Sequence, residues 1–85
     1  MFEPSDTLNF ANAKATLEAG LLAISSGQTE IDLARLASVD SSAVAVLLAW
    51  QRAAQAKGSV LHFHHVPHNL QSLIDLYSVD TLLGH

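Results

Sequence analysis

The architecture turns on IDLARLASVDSSAVAVLLAW, Ile31–Trp50, and its continuation QRAAQAKG, which ends at Gly58. A short apolar run (Ile31, Leu33, Leu36) leads into two acceptor residues, Asp40 and Ser41. A long apolar segment from Ala43 to Ala56 follows, and Gly58 stops it. Physically this is a strand, a turn and an amphipathic helix, with hydroxyls and a carboxylate at the helix mouth. Glu30–Leu33 alternates polar and apolar residues, so Ile31 and Leu33 share one strand face. The helix is predicted from about Ser41 to Lys57, with Gly58 as its C-terminal stop. Asp40 and Ser41 can each cap it, because a side-chain oxygen there satisfies an otherwise orphaned backbone N–H.

The same helix carries two faces. At about 100° per residue, Ala43, Val46, Leu47, Trp50, Ala53 and Ala54 fall within an arc of about 120°, the predicted core face with Trp50 at its centre. Val44 and Leu48 lie on the opposite side, beside Ser41, Gln51, Arg52 and Gln55. A second apolar strip inside a polar face points either to contact with another protein or to burial under a neighbouring helix of the same domain. On the first reading Ser41, Val44, Leu48, Arg52 and Gln55 are the partner-binding residues, and a homodimer would use the strip equally well.

Flanking segments extend the alternation. Leu8–Phe10 is predicted as a short first strand after a frayed start over residues 1–7 that contains Pro4. Asn12 offers an N-cap oxygen to a first helix over about Ala13–Ile24, with Leu17, Leu21 and Ile24 in one stripe. Gly20 weakens that helix and Ser25-Ser26-Gly27 ends it. Val60–His64 is predicted as a strand with Leu61 and Phe63 on one face and Val60, His62 and His64 on the other. Pro67 suits the first turn of a third helix, whose apolar stripe is Leu70, Leu73, Ile74 and Tyr77. The order β-α-β-α-β-α, free of repeats and linkers, implies crossover connections, a mostly parallel or mixed sheet and one α/β domain over residues 1–85.

Composition narrows the function. Eighty-five residues, 49% of them apolar, make one small globular domain with a core near the lower useful size. The formal charge is −4, and the only basic residues, Lys14, Arg35, Arg52 and Lys57, are scattered. Phosphate neutralisation needs clustered cations, so neither nucleic acid nor an anionic membrane surface is an expected partner. There is no cysteine to form a disulfide or a thiolate metal site. The start of the chain lacks a basic segment followed by an apolar one, and the longest apolar run, Ala43–Trp50, is far too short to cross a bilayer. A soluble cytoplasmic protein is expected, with no direct membrane insertion.

Catalytic patterns are not found. The glycines Gly20, Gly27, Gly58 and Gly84 are too dispersed for a phosphate loop, and Ser41 and Ser42 lack the flanking glycines of a nucleophile elbow. His62, His64, His65 and His68 crowd one strand and its exit, and His62 with His64 share a face. A third ligand would be needed to hold zinc, so these are read as surface histidines rather than a metal site. No catalytic residue, metal or cofactor is expected.

With these residues in view the chain resembles STAS domains, the sulfate-transporter and anti-sigma-antagonist family. Ile31–Trp50, with its strand, Asp-Ser-Ser turn and helix, is similar to that family's most characteristic stretch. VPHNLQSLIDLYSVDTLL, Val66–Leu83, resembles the C-terminal helix of the MlaB branch, the small STAS subunit of the phospholipid-trafficking Mla ABC transporter. The resemblance implies a non-enzymatic cytoplasmic subunit that docks on an ABC ATPase, and through it a permease. Such a subunit would be peripheral to the inner membrane and support maintenance of outer-membrane lipid asymmetry. The docking hydroxyl of that branch maps to Ser41. In anti-sigma-factor antagonists the same position is a phosphorylated serine, which gives the alternative: a signalling switch at Ser41. Those relatives continue with Gly-Leu, whereas Ala43 and Val44 stand here, and they begin with a longer hairpin. Both departures favour the transporter subunit, with Ser41 first a helix cap inside a docking surface.

Overall fold

The computed structural model of the chain describes residues 2–77. Its elements are β1 (Thr7–Leu8), α1 (Ala13–Ser25), β2 (Glu30–Asp32), β3 (Ser38–Val39), α2 (Ser41–Ala56), β4 (His62–His64) and α3 (His68–Tyr77). The decisive stretch keeps its strand and helix, with the short β3 added between them: Ile31 and Leu33 are both buried, α2 begins at Ser41, and Gly58 adopts φ 75° just past its end. The N–H of Gly58 donates to the Gln55 carbonyl and that of Ser59 to the Ala54 carbonyl, so the last turn closes through a left-handed residue that glycine supplies without strain.

Strand pairing is parallel throughout. β1 pairs with β3 in the register Thr7↔Ser38 and Leu8↔Val39, and β2 pairs with β4 through Glu30↔His62, Ile31↔Phe63 and Asp32↔His64. An isolated parallel bridge, Phe2↔Ile31, ties the N-terminal segment to β2. The start of the chain is therefore not frayed as far as residue 7. Phe2 donates to the Glu30 carbonyl and accepts from the Asp32 N–H, while its ring meets Trp50 edge-on at 5.6 Å between centroids. Burial of an aromatic residue outweighs the local disfavour of Pro4 for a strand.

Other differences are local. The first strand ends at Leu8 instead of reaching Phe10, because Asn9 starts a turn in which its side-chain oxygen accepts from the Ala11 N–H. Asn12 does not cap α1; its oxygen accepts from the Asn9 N–H, and its amide donates to the Thr7 carbonyl. β3 went unpredicted, since two residues carry no periodicity and only the pairing with β1 defines it. The fourth strand begins at His62 rather than Val60, and Pro67 stands just ahead of α3, its carbonyl accepting from the Gln71 N–H. Leu70 and Ile74 are fully buried and Leu73 packs on the core, whereas the Tyr77 side chain and the Ser78–Leu83 part of the C-terminal resemblance lie outside the described residues.

Packing is organised around α2, which lies against both α1 and α3. Trp50 is wholly buried, and its indole N–H donates to the Leu17 carbonyl at 3.0 Å. A side chain at Gly20 would land on that indole, so the glycine that weakens α1 as an isolated helix is what lets α1 and α2 approach. Lys57 then donates to the Ile24 carbonyl at 2.7 Å, placing a cation at the carbonyl end of α1 where the helix dipole favours it.

Candidate functional site

The mouth of α2 is built from Asp40 outward. Asp40 has extended backbone angles and is the N-cap: one carboxylate oxygen accepts from the Ser42 N–H at 2.8 Å. The other accepts from the Phe10 N–H at 3.0 Å, thirty residues away in sequence. One carboxylate thus caps the helix and pins the β1–α1 turn against it. The Phe10 and Ser42 N–H groups hold the Asp40 carboxyl below the ordinary carboxylate range, against the opposing effect of partial burial. Ser41 is not the cap; it is the first residue of α2 and is exposed.

This arrangement has a pH signature. A lowered carboxyl pKa means that ionised Asp40 stabilises the folded chain above its unfolded value of about 4, and that the contribution disappears as pH falls through the folded value. The melting-temperature gap between wild type and Asp40→Asn should therefore stay constant from about pH 7 to 5 and close below about pH 4. A gap that persists unchanged at about pH 2.5 in a pH series of thermal melts would contradict the assignment.

The proposed strip on α2 divides. Ser41, Arg52 and Gln55 are exposed and Leu48 is half-buried against the core. Val44, only 5% exposed, belongs to the core cluster, as does the face that carries Gln51 at 6%. The buried arc of α2 is wider than the predicted one because two helices, rather than one, pack on it. Val44 is accordingly withdrawn from the contact residues. Gln51 Oε1 is left without a hydrogen-bond partner among the described residues. The remaining edge, Ser41, Ala45, Leu48, Arg52 and Gln55, is low in charge for a solvent-facing helix surface: Arg52 is the only charged residue in α2.

Elsewhere the histidines pair with acids one at a time. His64 Nε2 lies 2.8 Å from Glu30 Oε1, and His65 Nδ1 lies 3.0 Å from Asp32 Oδ1 across the β2–β4 pair. Asp32 is held below its ordinary range by the Ala34 N–H and then by His65. No group of three or more histidine and carboxylate side chains converges on a point among the described residues. No described helix is long and apolar enough to cross a membrane.

The strand–Asp-Ser-Ser–helix unit is thus held by parallel pairing and mounted on a helical core. The family model described as the MlaB STAS domain matches residues 5–84. The chain belongs to the MlaB-type STAS domain family. The match embraces every element from β1 to α3, so this STAS domain occupies essentially the whole sequence given. STAS domains are in general non-catalytic. No curated protein sequence matches the chain.

Phe10, expected to end the first strand, is instead 85% exposed at the tip of the turn that Asp40 holds, in the segment Asn9-Phe10-Ala11-Asn12 whose two asparagines are strong turn formers.

Proposed function

We propose that this STAS domain is a non-enzymatic subunit of a lipid-transporting ABC complex, docking on the cytoplasmic ATPase through the outer edge of α2. Membership of the MlaB-type family supports the reading at the level of partner class. The observation that carries it at the level of residues is the charge-poor edge that runs from the capped helix mouth, with Ser41, Arg52 and Gln55 exposed and Leu48 half-buried. Interfaces are depleted in charge at their centre yet retain arginine, and this edge has that composition. Through its ATPase and permease the domain would sit at the inner membrane without inserting, and would support a phospholipid-trafficking system that maintains outer-membrane lipid asymmetry.

The test is co-purification of the domain with its cognate ABC ATPase. Wild type is expected to form a stoichiometric complex, and Ser41→Arg or Leu48→Asp to weaken it by about tenfold or more, the effect of placing bulk or charge at an interface centre. Circular dichroism should show both variants folded; for Leu48→Asp this control matters because Leu48 also touches the core. If both folded variants bind as wild type does, the α2 edge is not the docking surface.

The exposure of Ser41 at the positive end of a helix favours a second reading, in which a kinase phosphorylates it and the added charge releases a bound regulator. Intact-mass analysis after incubation with a cognate anti-sigma kinase distinguishes the two: an unmodified chain counts against the switch.

A further inference from the structure

The outward face of the β2–β4 pair carries only titratable side chains. In the register Glu30↔His62, Ile31↔Phe63 and Asp32↔His64, alternate residues share a face. Ile31 is buried and Phe63 packs on the core, so Glu30, Asp32, His62 and His64 project from the other side. Two contacts lace the strands together there. His64 Nε2 lies 2.8 Å from Glu30 Oε1, and His65 Nδ1, just past the end of β4, lies 3.0 Å from Asp32 Oδ1. The same Asp32 oxygen accepts from the Ala34 N–H at 2.9 Å, which fixes the carboxylate that His65 grips.

His65 is held in an uncommon conformation. Its φ of 58° is left-handed, and the other described positions with positive φ, Gly27 and Gly58, are glycines. A residue with a side chain stays left-handed where its surroundings hold it there. The Asp32 contact is such a hold, tying this backbone to a strand 33 residues earlier. From His65 the chain passes through Val66 and Pro67 into α3, whose Leu70 and Ile74 are fully buried. Backbone pairing alone attaches β4 weakly, since the strand is three residues long and pairs only with β2 among the described strands.

Both contacts depend on the protonation of a histidine. A protonated imidazole makes a charge-assisted bond to a carboxylate, whereas a neutral one keeps at most an ordinary N–H bond. The Ala34 N–H, then His65, and at longer range His64 hold the Asp32 carboxyl below its ordinary range, against the opposing effect of partial burial. Around the two pairs, His62 shares their face and Glu3 follows the Phe2 bridge on the far side of β2. Arg35 lies in the turn after β2, and His68 opens α3. None of these four is ion-paired among the described residues, so Glu30 and Asp32 are the acids that act on the two histidines by direct contact.

We propose that Glu30–His64 and Asp32–His65 form a pH-operated strap that fastens β4 and the turn into α3 onto β2, tightening as pH falls from about 8 to about 5.5. A histidine that gains a carboxylate partner on folding contributes stability below its unfolded value of about 6.5, and the contribution is lost as pH rises. A carboxylate held low contributes above its unfolded value of about 4 and loses that contribution as pH falls. The strap is therefore firmest between about pH 4 and 6.5. None of its residues lies on α2, so it stands or falls separately from the docking edge.

The experiment is a series of thermal melts of the full chain from about pH 5.5 to 8, comparing wild type with His64→Gln/His65→Asn. Asparagine tolerates a left-handed backbone, so the second substitution removes the charge and keeps the turn. Wild type is expected to melt a few degrees above the double variant at about pH 5.5, the scale of two exposed ion pairs in a domain of this size, and the gap should at least halve by about pH 8. In a Glu30→Gln/Asp32→Asn background the same histidine substitutions should leave no pH-dependent gap, and His62→Gln should show none in the wild-type background. Amide exchange, corrected for intrinsic rates, gives the local readout. Protection of the Leu33 N–H, which donates to the His64 carbonyl, should rise about twofold or more from pH 8 to 5.5 relative to the Asp40 N–H, which donates to Leu8 in the β1–β3 pair. A gap that does not change with pH refutes the strap, as does a pH-dependent gap that survives loss of both carboxylates. A rise in Leu33 protection that Asp40 matches would place the effect on the whole fold and also refute it. Should the double variant not fold, single His64→Gln and His65→Asn variants decide by the same criterion.

Discussion

Trp50→Ala is expected to remove about 3–5 kcal/mol of stability, the range for truncating a large aromatic residue in a packed core. Three losses combine at this position. The wholly buried indole leaves a cavity between α1 and α2 that the surrounding helices cannot fill. The hydrogen bond from the indole N–H to the Leu17 carbonyl disappears. The edge-on contact with Phe2 also goes, and with it the main reason for the N-terminal segment to lie along β2. Domains of this size have on the order of 4–13 kcal/mol in total, so the loss is a large fraction of it and unfolds the variant outright if wild type lies at the low end of that range. Thermal and urea melts followed by circular dichroism are the measurement. A drop of under about 1 kcal/mol would mean that Trp50 is not the keystone of the helical packing. Trp50→Phe should lose less, since it keeps most of the apolar volume and forfeits the hydrogen bond.

The second large effect is at Gly20, and its sign separates local from tertiary reasoning. In an exposed helix, glycine to alanine gains about 1 kcal/mol from backbone entropy and propensity. At Gly20 the new methyl group would occupy the space of the Trp50 indole, with the nearest atoms Cε2, Nε1 and Cζ2. Overpacking of this kind costs typically about 1–3 kcal/mol and sometimes more, which exceeds the helical gain. Gly20→Ala is therefore expected to lower stability by up to about 2 kcal/mol, or up to roughly 16 °C in melting temperature for a chain of this length. A double-mutant cycle sharpens the test. Trp50→Phe removes atoms against which the methyl group presses, so Gly20→Ala should cost less in the Trp50→Phe background than in wild type, with a coupling of about 0.5–3 kcal/mol. Additive effects, or a stabilised Gly20→Ala, would show that the helices separate freely there.

The two positions also mark where sequence reasoning reached its limit. Trp50 could be placed at the centre of the α2 core face from helical periodicity, because a 16-residue helix offers enough turns for the pattern to repeat. Gly20 looked like a weakness in α1, because its reason lies on another helix. The docking edge divides in the same way. Ser41, Leu48, Arg52 and Gln55 share one side of α2 on any helical projection, and the structure leaves them at or near the surface. Val44 and Gln51 sit beside them on that projection, yet both are buried, because α2 has two helices rather than one packed against it.

Sequence by itself determined the α/β class, the three helices, the strand at Ile31, the stop at Gly58 and the Asp40 cap. Each of these rests on interactions within a few residues or on a repeating apolar pattern, so the information is local. Tertiary structure alone decided the rest. It paired Thr7–Leu8 with Ser38–Val39, drew Phe2 onto Ile31 and Trp50, and gave the Asp40 carboxylate its second partner at Phe10. Those contacts join residues thirty or more positions apart, with the exception of the Phe2–Ile31 bridge, which spans nearly as many. Nothing in the neighbouring sequence encodes them; they follow from which surfaces the folded helices and strands leave to be buried together.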